Sequence, residues 1–434
     1  MALYIMTLLG TGGDILPGLA IARELQQRGH QVQVLSYDYF EAEIKQAGLS
    51  FVAIGSSEYY LGQITQASFW ERHGTSKGLD ENGYLRLAMR PVFDYIAQQL
   101  DQQPHIICTR NAYGARFAAE KFGLPSLCLA FAPTQFASPE HFPASNPRLA
   151  RLPLWLRKIS LELGEVLYNR PLLPKINSLR ASLELPPIRH VRNWSFFQHP
   201  SLALFPAWYD DVSQLSPHIY QSDFVFYQQN DGAALAPPLE AFLQAGSAPV
   251  LCSFGTGIAH LEQVFARAAK ALRKSGRRAI FATKFEQNIP PNLGPDVLVI
   301  KHADFSALLP RVALIVHHGG IGTAAQALRA GIPQLIIPQA FDQPDNAHIL
   351  QRLELAELIA QPDFSEDLLH TKIEQAITQH NQAKLARLSQ LLQKSQAAAQ
   401  AATLCETHFA ASFAHLPPAQ AKQAKPPKGY QYNE

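Results

Sequence analysis

The sequence predicts an α/β protein made of two successive parallel-sheet domains, and three observations carry this reading. Short apolar runs recur along the chain, Ala313–Val316 apolar at every residue and Gln334–Ile337 apolar after its first, the pattern of strands buried on both faces. These runs alternate with helical stretches stopped by glycine, at Gly29 and Gly331. The alternation also starts twice, once at Leu3 and again after Gln228–Pro238, a polar and then Ala/Pro-rich stretch without periodicity. The expected division is therefore 1–227, a linker at 228–238, and a second domain at 239–413. A Pro/Lys-rich tail at 414–434 is expected to be disordered. A chain of 434 residues is long for one core and sufficient for two.

Composition narrows the function classes. The chain is 47% hydrophobic and 17% charged, as in globular proteins, and its net charge of +2 gives no electrostatic case for nucleic acid. Cys108, Cys128, Cys252 and Cys405 lie far apart without CxxC spacing, which argues against a zinc site or a disulfide framework and fits a reducing cytoplasm. The apolar start, Met1–Leu9, is short, lacks a basic lead and runs into a Gly turn, so it reads as a first strand. No run approaches the ~18 apolar residues of a membrane span. The tail lysines offer at most a weak peripheral contact with an anionic membrane surface.

In order, strands are expected at Leu3–Leu9, Gln31–Leu35, Phe51–Ile54, His105–Thr109 and Ser126–Ala130. Helices are expected at Gly18–Arg28, Pro91–Asp101 and Tyr113–Phe122, with Gly55–Met89 irregular and Phe136–Pro200 a helical cover rich in Pro and aromatic residues. In the second half come helix Leu239–Ala245, strands Pro249–Cys252, Ala279–Ala282 and Val297–Ile300, then Ala313–Val316, helix Ala324–Ala330 and strand Gln334–Ile337. Two helical stretches are expected between Glu366 and Phe413.

Two glycine-rich turns follow strands. The first, Gly10-Thr11-Gly12-Gly13-Asp14-Ile15-Leu16-Pro17, fits a dinucleotide fingerprint poorly, because Ile15 occupies the third glycine position and Pro17 opens the helix. Asp14 would serve there as a helix N-cap. The second, His317-His318-Gly319-Gly320-Ile321-Gly322-Thr323, leaves backbone N–H groups free at a helix start, where partial positive charge favours a diphosphate.

The wording of the second stretch is more specific than its geometry. His318, Gly320, Gly322 and Thr323, then Gly331-Ile-Pro-Gln334, then Asp342-Gln343 and Asn346-Ala347, resemble the donor-binding signature of family 1 glycosyltransferases. The resemblance implies the GT-B fold, two Rossmann-like domains whose parallel sheets face each other across a cleft. It implies inverting, nucleotide-sugar-dependent transfer with no metal or other cofactor. The first turn is similar to the family's acceptor-side turn, with Gly10, Gly13, Asp14, Pro17 and Arg28-Gly29-His30 in place and Gly12 beside them. Asp14 stands where most relatives hold a general-base His, as in the sterol, glycopeptide and rhamnolipid branch. The loop Thr109–Tyr113 lacks the carboxylate that supports that His, so no activating partner for Asp14 can be named.

By the same resemblance Gly255 and Thr256, in Ser253–Gly257, contact the donor diphosphate. His318, Gly320, Gly322 and Thr323 hold it as well, and Asp342 and Gln343 face the sugar hydroxyls with Asn346 assisting. His302 occupies the place of a base-stacking aromatic, with a surface-loop histidine as the alternative. Gln326, where many relatives place a ribose-gripping Glu, makes a dTDP donor credible beside UDP. The apolar residues of 55–89 and 136–200 imply a hydrophobic hydroxylated acceptor, and Leu202–Trp208 with Pro174–Asn177 resemble rhamnolipid-forming rhamnosyltransferases. Two other classes remain: a nucleotide-sugar epimerase of the same fold and a non-catalytic partner protein. The oligomeric state is not legible.

Overall fold

The computed structural model describes residues 1–66, 84–191, 194, 199–227, 235–255, 258, 260–302, 304–360 and 364–413. The apolar runs form two sheets. In the first, β1 (Leu3–Thr7), β2 (Gln31–Tyr37), β3 (Ser50–Gly55), β4 (His105–Thr109), β5 (Ser126–Ala130), β6 (Ser201–Ala203) and β7 (Ile219–Gln221) take the order β3-β2-β1-β4-β5-β6-β7. In the second, β8 (Val250–Ser253), β9 (Ala279–Ala282), β10 (Val297–Ile300), β11 (Leu314–His317), β12 (Gln334–Ile336) and β13 (Glu357–Leu358) take the order β10-β9-β8-β11-β12-β13. All pairings are parallel. Every residue of β1, β4, β8 and β11 is buried, as parallel strands covered by helices on both faces must be.

Each order reverses once, between β1 and β4 in the first sheet and between β8 and β11 in the second. Ligands of open α/β sheets bind beyond the carboxyl ends of strands at such a switch point. The geometry therefore singles out the loops after β1 and β4, and those after β8 and β11. The first two loops are stapled together: Thr109 Oγ1 accepts the Leu9 N–H at 2.9 Å and donates to the Leu9 carbonyl at 2.8 Å.

Three expectations are corrected. The first helix, α1, spans Gly12–Gln27, so it begins at Gly12 and carries Pro17 inside it. Asp14 accepts the Thr11 N–H and so fixes a helix start ahead of Pro17, which sits in the second turn. The region 55–89 is not irregular throughout: beyond α2 (Glu41–Gln46) lie α3 (Ser57–Ile64), capped by Ser56, and α4 (Tyr84–Ala97), which runs through Pro91. The remaining helices are α5 (Tyr113–Phe122), α6 (Leu154–Ser182), α7 (Pro237–Gln244), α8 (Glu262–Lys274), α9 (Phe305–Leu308), α10 (Ile321–Ala330), α11 (Gln343–Arg352), α12 (Glu366–Thr378), α13 (Gln382–Gln393) and α14 (Ala397–Phe413). The last three replace the two helical stretches expected, because Asn381 caps a new start by accepting the Lys384 N–H at 3.0 Å. The Pro/Lys tail and most of the stretch read as a linker fall outside the described residues.

Each sheet has its own apolar core, and a third cluster joins the two: Phe136, Phe205 and Tyr209 pack with Ala324, Leu328, Ile336 and Ala347. α14 returns to the first sheet. Arg28 reaches Glu406 at 2.7 Å and the Ala399 carbonyl at 2.7 Å, and Phe409 stacks on His105 with ring centroids 4.5 Å apart. No described helix is long and apolar enough to cross a membrane.

Candidate active site

At the first switch point the local chain folds around Asp14. Thr11 is the N-cap of α1 and Asp14 its third residue, so Asp14 is the partner of the cap rather than the cap expected. Its Oδ2 accepts the Thr11 N–H at 2.8 Å and the Thr11 hydroxyl at 3.2 Å. Gly10 is required here. It sits at φ +137°, and a Cβ on it would lie 2.3 Å from Asp14 Oδ2. Gly12 and Gly13 form the first helical positions, and a Cβ on Gly13 would meet only Thr11 Oγ1, at 3.7 Å.

The half-buried Asp14 carboxyl is pushed up to about 6. Burial is the largest cause; the Thr11 N–H bond opposes it, the Asp342 carboxylate adds to it, and the Arg110 cation opposes it. The same cation acts on Asp342, whose carboxyl is also raised by burial, against a hydrogen bond from Asn346. Asp14 from the first sheet and Asp342 from the second thus share one electrostatic environment, with Arg110 of the β4 loop as its cation.

At the second switch point the His318 ring lies between two glycines. A Cβ on Gly255, at φ +84°, would approach it to 3.1 Å, and one on Gly320 would come within 2.6 Å of Nε2. Burial, partly offset by the Ser253 backbone, pushes His318 down to about 4, so it is neutral at physiological pH. α10 begins at Ile321, with Gly320 at its N-cap and no side chain capping it, which leaves the first-turn N–H groups, including those of Gly322 and Thr323, directed outward. A Cβ on Gly322 would meet no protein atom within 4 Å. An uncapped helix start beside a neutral imidazole and a glycine fronting open space can take an anion.

His317, one residue earlier, does different work. It is fully buried and pushed down to about 3 by burial. Its Nδ1 accepts the Gly319 N–H at 3.1 Å, so Nε2 carries the proton and donates to Gln334 Oε1 at 3.0 Å. Asn346 closes the other side of the loop. Its Nδ2 donates to the Gly319 carbonyl at 3.0 Å and to Asp342 Oδ2 at 2.7 Å, and its Oδ1 accepts the Tyr209 hydroxyl at 3.2 Å. Gln343 Oε1 accepts the N–H groups of Gln339 and Ala340, each at 2.8 Å, and so holds the loop after β12.

The comparisons with known proteins decide the identity. Residues 4–138 match the glycosyltransferase family 28 N-terminal domain, and residues 282–404 match the erythromycin biosynthesis protein CIII-like C-terminal domain. The chain is 25% identical over 406 residues to glycosyltransferase GtfC of Amycolatopsis orientalis, covering 93% of this chain and 97% of the relative. It is 26% identical to vancomycin aglycone glucosyltransferase of the same organism, covering 92% and 95%. Among solved structures, the glycotransferase of kitacinnamycin superposes with a TM-score of 0.71 at 18% identity, covering 94% of this chain and 99% of that one. VinC in complex with DTDP superposes at 0.64 and 19% identity, covering 95% and 100%. This chain is a family 1-type glycosyltransferase of GT-B fold.

In this glycosyltransferase the structure brings Asp14 and Asp342 together from the two sheets, and places Gly255, His318, Gly320, Gly322 and Thr323 at one switch point. His302 is exposed beyond the end of β10, and Thr256 lies outside the described residues. Sequence reasoning gave no role to Arg110, His317 or Tyr209. All three act through contacts that need the fold.

Proposed function

We propose that this glycosyltransferase is an inverting enzyme that moves a hexose from a dTDP- or UDP-sugar to a hydroxyl of a hydrophobic small-molecule or lipid acceptor. Rhamnose is the sugar favoured by the resemblance of the 174–177 and 202–208 stretches. Asp14 takes the proton as the acceptor oxygen bonds to the anomeric carbon. The bond from that carbon to the diphosphate breaks, and the leaving nucleotide carries away the electron pair. The α10 N–H groups and His318 meet the charge that develops on the diphosphate. In this scheme the chain needs no metal, because those groups perform the neutralisation. Asp342 and the Gln343 amide orient the sugar hydroxyls.

The observation that carries the proposal is the raised Asp14 carboxyl, half-buried and in electrostatic contact with Asp342 of the other sheet. A carboxylate near 6 is a better base than an ordinary one and is still ionised at neutral pH. The dTDP donor is supported by Gln326, by a relative named dTDP-epi-vancosaminyltransferase, 28% identical over 348 residues, and by the nucleotide in the VinC structure.

The test uses two variants against a panel of dTDP- and UDP-sugars with lipid-like hydroxyl acceptors. Asp14→Asn is expected to keep the donor-induced thermal shift and to lose transfer by roughly 10²–10⁴-fold. His318→Ala is expected to lose the shift itself. Transfer by Asp14→Asn at the wild-type rate would remove Asp14 as base. A product formed from donor alone would make the protein an epimerase.

A further inference from the structure

The N-terminal half of α6 is turned inside out. Leu154, Trp155, Ile159, Leu163, Val166 and Leu167 are between 44% and 74% exposed, while Glu165 is buried. These six account for more than half of the eleven large apolar side chains found exposed among the described residues. Trp155, Ile159, Leu163, Val166 and Leu167 recur at three- and four-residue spacing, so they form one stripe along the helix. The chain leading into the stripe, Arg148–Lys158, reads RLARLPLWLRK, with four cations and no acid. Arg148, Arg151 and Lys158 are exposed.

We infer that this face docks the protein onto an anionic lipid bilayer. An apolar stripe with a Trp at its basic end, crossed by the exposed Lys158–Glu162 pair at 4.0 Å, matches a helix lying in the headgroup region, its aliphatic side chains among acyl chains and its arginines among lipid phosphates. The exposed Arg148 and Arg151 favour an anionic bilayer over an apolar protein partner, whose contact would desolvate their charges. The start of the helix is fixed to the rest of the molecule: Arg157 donates to the carbonyls of Leu152, at 2.7 Å, and Pro139, at 3.2 Å. The segment that follows Pro139 reaches the donor side, where the Ser145 N–H donates to Asp345 Oδ1 at 2.8 Å. The surface thus lies one loop from α11, which starts beside Asp342. The inference is independent of the donor chemistry and can fail without touching sugar transfer.

The test is co-sedimentation of the full chain with vesicles of phosphatidylglycerol mixed with phosphatidylcholine, and with phosphatidylcholine alone. The wild type sediments with the anionic vesicles and is released by salt. Leu163→Ser/Leu167→Ser and Arg148→Glu/Arg151→Glu each reduce that binding by roughly tenfold or more, with the donor-induced thermal shift unchanged as a control of folding. Removing residues 414–434, which hold three further lysines, leaves it intact. Three results overturn the inference: no binding to either vesicle, binding that survives both double variants, or binding that vanishes with the tail. A wild-type dimer that Leu163→Ser/Leu167→Ser converts to a monomer would assign the face to a second copy instead.

Discussion

Asp14 is held by a single helix turn, and its environment fixes both its chemistry and its effect on stability. Its folded pKa, about 6, lies above the ordinary carboxylate value, so the folded state binds more protons between the two. Folding stability therefore falls as pH rises through that window, because the buried carboxyl must ionise. Asp14→Asn, which keeps an oxygen for the Thr11 N–H, is expected to melt higher than wild type at neutral pH and equally below about pH 4. Paired melting curves across pH check this. With Asp14 as the proposed base, wild-type kcat/KM is expected to rise through about pH 6 to a plateau. His317 belongs to this scale too. His317→Leu removes the acceptor that fixes the Gly319 N–H, while His317→Asn can restore it from its own side chain two residues back. The account predicts a raised donor KM for Leu and recovery for Asn. In His317→Leu/Gln334→Leu, the melting point recovers and donor binding does not, because Gln334 no longer lacks its partner.

The elements transmit these constraints. α10 starts where β11 ends, and Gly255 after β8 and Gly320 before α10 leave just the space the His318 ring fills. Gly255→Ala adds a Cβ 3.1 Å from that ring at a backbone angle, φ +84°, that alanine resists. It is expected to weaken the donor-induced thermal shift about tenfold in affinity while acceptor binding is unchanged, and titration calorimetry separates the two. The strands and glycine stops were legible from sequence because burial on both faces writes a wholly apolar run and a left-handed C-terminus selects glycine. Gly331, at φ +72°, is such a stop. The start of α1 was not legible, since Pro17 looks like an opening residue until the Thr11–Asp14 pair is seen. α4 was displaced for the same reason, by Pro91.

For the whole molecule, the joins between the two sheets include the shared cluster around Phe136, Phe205 and Ala324, the Tyr209–Asn346 and Ser145–Asp345 bonds, and α14 laid back on the first sheet. Such contacts bring together residues far apart in sequence, which is why the donor motif could be read from local pattern while Arg110 and Tyr209 could not. Phe409 is the buried anchor of α14, stacked on His105 and edge-on to Tyr4. Phe409→Ala is expected to cost about 3–5 kcal/mol in chemical denaturation, the cost of emptying an aromatic site in a core. The central claim, displacement at the anomeric carbon with an acceptor activated by Asp14 on one side and a diphosphate leaving into α10 on the other, is tested most directly by the configuration of the product. The anomeric carbon–hydrogen coupling of the glycoside, measured by NMR against that of the donor, must show inversion. A product that retains the donor configuration would contradict the account.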